Sequence, residues 1–194
     1  MIKKLIHKIQ FEHGKSLEID ELHSLATLLN KNDFISKGLE LFSEQAIEFY
    51  RVVGIILNEV GFNKVLVTRE GDTNNRMDAI IVDDYRSIPI EIKSPRETNY
   101  INIKSIRQSL ENKIVLLSRE FYPTTLNTTT LAVGFTYPNE RSGVLELIED
   151  IKSTFNINIG IIDFGGLLSL YYEKIINKKQ IDLELIYNLQ GKFK

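Results

Sequence analysis

Cysteine and tryptophan are both absent from the 194 residues, histidine occurs three times and proline four. Without thiols there can be neither a disulfide framework nor a thiolate metal site, so any bound metal must take oxygen or imidazole ligands. No apolar run approaches the roughly 20 residues of a membrane span. The opening MIKKLIHKIQFEHGK is basic but lacks the apolar centre and small-residue cleavage site of a signal peptide. A cytoplasmic protein with no membrane association is the expectation. An excess of either charge is missing too, because 24 Lys and Arg against 26 Asp and Glu leave a formal charge of −2. Strong unaided nucleic-acid binding usually leaves a basic footprint. A nucleic-acid partner would therefore call for a basic local cleft or a second protein.

What is present is an ordinary folding composition, 43% hydrophobic and 26% charged, which excludes an intrinsically disordered chain. The length suits one domain, and no repeat or low-complexity linker marks a second. Residues 1–37 read as a helical prelude, with apolar spacing at Ile2, Leu5, Ile6 and Ile9 and turn signals at HGK and NKND. Residues 38–194 hold the core and closing helices. FSEQAIEFYRVVGIILNEV sets Ile47, Tyr50, Val53, Gly54 and Leu57 on one helical stripe, with Ser43 as expected N-cap and Gly61 as stop. The period then changes. KVLVTR, MDAIIVDD and SIPIEIKS are short, β-branched and separated by turn residues, so three strands follow one another. Asp83 and Asp84 belong to the second turn. YINIKSIRQSLENKIVLLSRE returns to helical spacing, TTTLAVGF is a fourth strand, SGVLELIEDIKSTF a helix and NINIGIID a fifth strand. GLLSLYYEKIINKK and IDLELIYNLQ are expected as two closing helices, the second opened by Asp182. The order α, βββ, α, β, α, β, αα predicts an α/β fold.

Charge inside the strands needs a reason, and RMDAIIVDDYRSIPIEIKSP holds it. Asp78 opens one strand. Glu91 and Lys93, two apart in the next, project from one face, while Ile90 and Ile92 turn to the other. If the strands pair through DDYRS, Asp78 approaches Glu91. Two carboxylates held together repel, and a cation removes the conflict. A hard divalent ion suits carboxylates, a carbonyl and water. It would polarise a phosphoryl oxygen and acidify a bound water, as phosphodiester hydrolysis requires. Lys93 would either position that water or stabilise charge on the phosphate.

Asp78, thirteen residues before Glu91, followed by EIK, resembles the site of the PD-(D/E)XK nuclease superfamily, on the αβββαβ order that the superfamily uses. Met77 stands where the pattern has proline. The resemblance implies a restriction-endonuclease-like mixed sheet and a Mg²⁺-dependent endonuclease that hydrolyses double-stranded DNA, with Mn²⁺ substituting. It implies that Asp78 and Glu91 ligate the metal, that the Ile92 carbonyl adds a ligand, and that Lys93 is the catalytic lysine. A further acid comes from the first core helix in many members, here Glu48, with Glu44 as its substitute. IKSPRETNYINIKSIRQSLENKIVLLSRE and the closing GLLSLYYEKIINKKQIDLELIYNLQ resemble type IIS restriction enzymes of the FokI kind. The resemblance covers about residues 40–190, and the site motif is its specific part.

Arg69, Arg76, Lys104 and Arg107 are candidates for phosphate contacts. Gln108 either approaches the site, as a glutamine does in some relatives, or is exposed, and exposure is the reading taken here. His7, His13 and His23 match no compact metal spacing and are assigned surface or packing roles. Phe121, Tyr122 and Tyr137 are assigned to the core. With little chain left for a separate recognition domain, the expected assembly is either a small subunit beside a larger recognition and cleavage partner or a homodimer. A structure-specific repair or recombination nuclease and a non-catalytic binding module of the same fold are the alternative functions.

Overall fold

The computed structural model describes residues 17–44, 49–68 and 77–194. Among them the helices are α1 (Leu17–Leu28), α2 (Lys31–Glu44), α3 (Phe49–Val60), α4 (Ile103–Leu117), α5 (Val144–Phe155), α6 (Phe164–Ile175) and the single-turn α7 (Glu184–Tyr187). The strands are β1 (Val65–Val67), β2 (Ala79–Ile81), β3 (Ile88–Lys93), β4 (Thr130–Gly134), β5 (Ile159–Asp163) and β6 (Gly191–Lys192).

One six-stranded mixed sheet runs in the order β1-β2-β3-β4-β5-β6. The β1–β2 and β2–β3 pairs are antiparallel, and β3 to β6 are parallel. The helical crossovers α4 and α5 link β3 to β4 and β4 to β5. Alternation divides the sheet. Ile88, Ile90, Ile92, Leu131, Val133 and Ile162 pack with Phe34 of α2, Phe49, Val53 and Leu57 of α3, and Leu168 and Tyr171 of α6. Ala132, Ile159 and Ile161 on the other face meet Ile106 of α4 and Val144, Ile148 and Ile151 of α5.

Local chemistry sets the ends of the helices. Asn102 and Ser105 form a reciprocal capping box at the start of α4, and Asp163 caps α6 by accepting the Gly166 N–H. Gly61, at φ 133°, follows α3 and stops it as expected. Gly54 lets α3 lie close against β1, since a Cβ there would stand 2.3 Å from Val67 Cγ2.

Two local expectations are corrected. Ser43 is not an N-cap: it lies in the last turn of α2 and its hydroxyl donates to the Glu40 carbonyl. The expected final helix over IDLELIYNLQ is a single turn. Asp182 serves its start by accepting the Glu184 N–H, but the chain leaves at Leu189, which packs over the Cβ-less Gly160, and Gly191 at φ 72° turns into β6 beside β5. Pairing the open sheet edge wins over continuing a short helix. Residues 1–16, with His7 and His13, lie outside the described residues. Among the described residues no helix is long and apolar enough to cross a membrane.

Candidate active site

The six residues of β3, IPIEIK, are all buried, which makes two charged side chains in them an energetic problem to be solved by their neighbours. As the alternation predicts, Ile90 and Ile92 enter the core, while Glu91 and Lys93 share the opposite face and sit 2.8 Å apart between Oε1 and Nζ. Asn112 of α4 donates to Glu91 Oε2 at 3.0 Å. Both oxygens of the carboxylate therefore have partners.

Ala79 pairs with Ile90, and one further antiparallel step sets Asp78 opposite Glu91. The Asp78 carboxylate takes over the ladder at this point, its Oδ2 accepting the Ile92 N–H at 2.8 Å. Its carbonyl accepts the Thr68 N–H and hydroxyl at 2.8 and 3.0 Å. The carbonyl of Ile92, in the next peptide group, is held by α3, because the Tyr50 hydroxyl donates to it at 2.9 Å. Tyr50 also lies 3.0 Å from Glu97 Oε2, and the Lys93 ammonium is 3.5 Å from Glu97 Oε1.

Burial and then the charge of Glu91 push the Asp78 carboxyl up to about 7. Burial likewise raises Glu91, against the opposing pull of Lys93 and Asn112. For Lys93, burial favours the neutral amine, but Glu91, Glu97 and Asp78 outweigh it and the ammonium is strengthened. Burial, followed by the charges of Asp78 and Glu97, keeps the Tyr50 hydroxyl protonated far above its ordinary range. The site thus holds more negative charge than one lysine neutralises comfortably.

Asp78, Glu91, Ile92 and Lys93 are brought together. Glu48, Arg69 and Arg76 lie outside the described residues, as does the side chain of Glu44. Lys104 and Arg107 are exposed on α4, on the side turned away from its buried residues Ser105, Ser109 and Asn112. Gln108 departs from its expected exposure: it is half-buried, and its Oε1 is buried without a hydrogen-bond partner. It stands one turn before Asn112, so the helix that covers the sheet draws both amides inward. Phe121 is exposed, while Tyr122 and Tyr137 are half-buried against apolar clusters. His23 is exposed, as assigned.

Tyr50, Glu97 and Asn112 were not singled out as site residues. Asn112 left a signal, a polar side chain one turn beyond Gln108 in a helix that must cover a sheet. Glu97, four residues past Lys93 in the turn SPRE, left none that an ordinary surface acid would not leave.

Among the described residues no group of three or more acids or imidazoles forms a metal-holding cluster. One buried and one half-buried carboxylate, with a backbone carbonyl, nevertheless fit a small hard cation, which commonly takes one or two protein carboxylates and completes its shell with water and phosphate oxygens. No family model, curated protein or solved structure matches the chain.

Proposed function

We propose that this chain is a divalent-cation-dependent DNA endonuclease built on a restriction-endonuclease-like core. The observation that carries the reading is the placement of Asp78 opposite Glu91, with Lys93 against Glu91 on the same buried face. Repulsion between the two acids, felt in the raised Asp78 carboxyl, is relieved by a bound cation. Asp78, Glu91 and the Ile92 carbonyl would hold Mg²⁺, or Mn²⁺ in its place. When bound, the cation supplies Lewis-acid polarisation of a phosphoryl oxygen and acidification of a water.

The remaining work belongs to the chain. Asn112 fixes the orientation of Glu91 through one oxygen. The Asp78 bond to the Ile92 N–H and the Tyr50 bond to the Ile92 carbonyl hold the strand end that presents that carbonyl. Lys93 remains a cation at neutral pH, able to orient an attacking water by hydrogen bonding and to stabilise negative charge on the phosphate during in-line hydrolysis. Lys104 and Arg107, exposed on the side of α4 turned away from Asn112, are candidates for phosphate contacts outside the site itself, with Arg69 and Arg76 as further candidates.

A formal charge of −2 gives a lone chain a weak electrostatic hold on DNA. The reading therefore includes a second copy or a larger recognition subunit, which also supplies the second active site that two strand cuts require. The test is plasmid cleavage in Mg²⁺ and in EDTA beside Glu91→Ala, with gel filtration in the presence and absence of DNA. Metal-dependent nicking that the variant loses is expected. Equal cleavage by wild type and variant would sink the proposal.

A further inference from the structure

We infer that Glu97 is a positioning residue for Lys93, the carboxylate that keeps the ammonium in place when Glu91 turns its charge to a bound cation. This rests on the nuclease reading of the site. The Lys93 ammonium is shared between Glu91 Oε1 at 2.8 Å and Glu97 Oε1 at 3.5 Å. Glu91 cannot serve a divalent ion and keep its full hold on Lys93, because the ion draws electron density from the same carboxylate and repels the ammonium across it. Asp78, the other acid near the lysine, is committed to the same ion, so a lysine with no further acid beside it would then be driven outward. Glu97 is that further acid.

The placement of Glu97 does not depend on Lys93. Its Oε2 accepts the Ser94 N–H at 3.1 Å and the Tyr50 hydroxyl at 3.0 Å, and its own N–H bonds back to the Ser94 carbonyl at 3.0 Å. The turn after β3 closes on itself with one carboxylate oxygen anchored and the other toward the ammonium. Tyr50 links the turn to the site, since the same hydroxyl reaches the Ile92 carbonyl. An exposed pair four residues apart would contribute little. Here, however, the lysine side chain is only 9% exposed and the acid is anchored by backbone and a buried tyrosine. Engagement of Oε2 also argues against Glu97 as a third cation ligand.

The deciding variant is Glu97→Gln, which keeps the shape and the acceptor for Ser94 and Tyr50 but removes the charge. One readout is the Lys93 side-chain NMR signal in isotopically labelled lysine, assigned through Lys93→Arg and followed with and without Mg²⁺. The others are kcat and KM for plasmid cleavage and Mg²⁺ affinity by calorimetry. Expected are a moved Lys93 signal, most strongly with Mg²⁺, and a kcat lower by about 10- to 100-fold, with KM and Mg²⁺ affinity within about twofold. Glu97→Asp, which retains the charge on a shorter arm, should fall between, and serves if the Gln variant does not fold. An unmoved Lys93 signal overturns the assignment. So does a loss of Mg²⁺ affinity that accounts for the loss of rate, since it would make Glu97 a ligand. A wild type that never cuts DNA defeats the nuclease reading separately, while the lysine signal still decides the role of Glu97.

Discussion

Lys93 Nζ lies 2.8 Å from Glu91 Oε1 on the buried face of β3, and each side chain is under a tenth exposed. Neither charge has much water to fall back on. Removing one partner should leave the other desolvated, so Glu91→Met or Lys93→Met alone is expected to lose about 3–5 kcal/mol, while the double substitution lies close to wild type. Urea denaturation of the four proteins completes the cycle. Additive losses would show that the pair is not coupled.

Asp78 and Glu91 oppose each other with like charge. Asp78→Asn retains an oxygen for the Ile92 N–H and removes the repulsion, so the variant should be more stable than wild type in EDTA, by about 1 kcal/mol. Mg²⁺ should reverse the order. At about ten times its dissociation constant it adds about 1.4 kcal/mol to wild type and much less to the variant. Thermal melts with and without the ion test this.

Lys113 is fully buried in α4 beside the Thr124 hydroxyl, 2.7 Å away, and burial lowers its ammonium to about 7. Between that value and its ordinary 10.5 the unfolded chain binds the extra proton, so stability rises with pH across this window. Below it, the full penalty of protonating the buried amine is present. Lys113→Met should therefore stabilise most at and below neutral pH. Its advantage should shrink toward pH 10, with a slope no steeper than about 1.4 kcal/mol per unit. Denaturant midpoints at two pH values measure it, and an advantage independent of pH would contradict the assignment.

Gly54→Ala should destabilise, although helix propensity alone predicts a gain of about 1 kcal/mol. The new Cβ would stand 2.3 Å from Val67 Cγ2 and push α3 off β1. A loss of about 1–3 kcal/mol is expected. Combining it with Val67→Ala should recover part of that loss, which equilibrium unfolding can resolve.

The fold was legible where one period dominated. Strand runs such as SIPIEIKS and the stripe of α3 declare themselves because their burial patterns are local and uninterrupted. The end of the chain was not, since IDLELIYNLQ has helical spacing yet stops after one turn. There Gly160 admits Leu189 and the sheet edge offers β6 a ladder. Asp78, Glu91 and Lys93 stood out because charge in an apolar strand is costly wherever the strand lies. Tyr50 looked like one more member of a buried stripe, and Glu97 like a surface acid.

By itself, then, the sequence determined the order of strands and helices from α3 through α6, the face on which Glu91 and Lys93 stand together, and the conflict of charge between Asp78 and Glu91. These follow from the alternation of a strand and the cost of burying charge, both properties of neighbouring residues. Tertiary structure alone decided that Asn112 holds Glu91, that Tyr50 from α3 reaches the Ile92 carbonyl, and that Glu97 turns back to Lys93. Those contacts join residues on different elements. Their existence depends on how helices and a turn pack around the end of one strand, which no local pattern encodes.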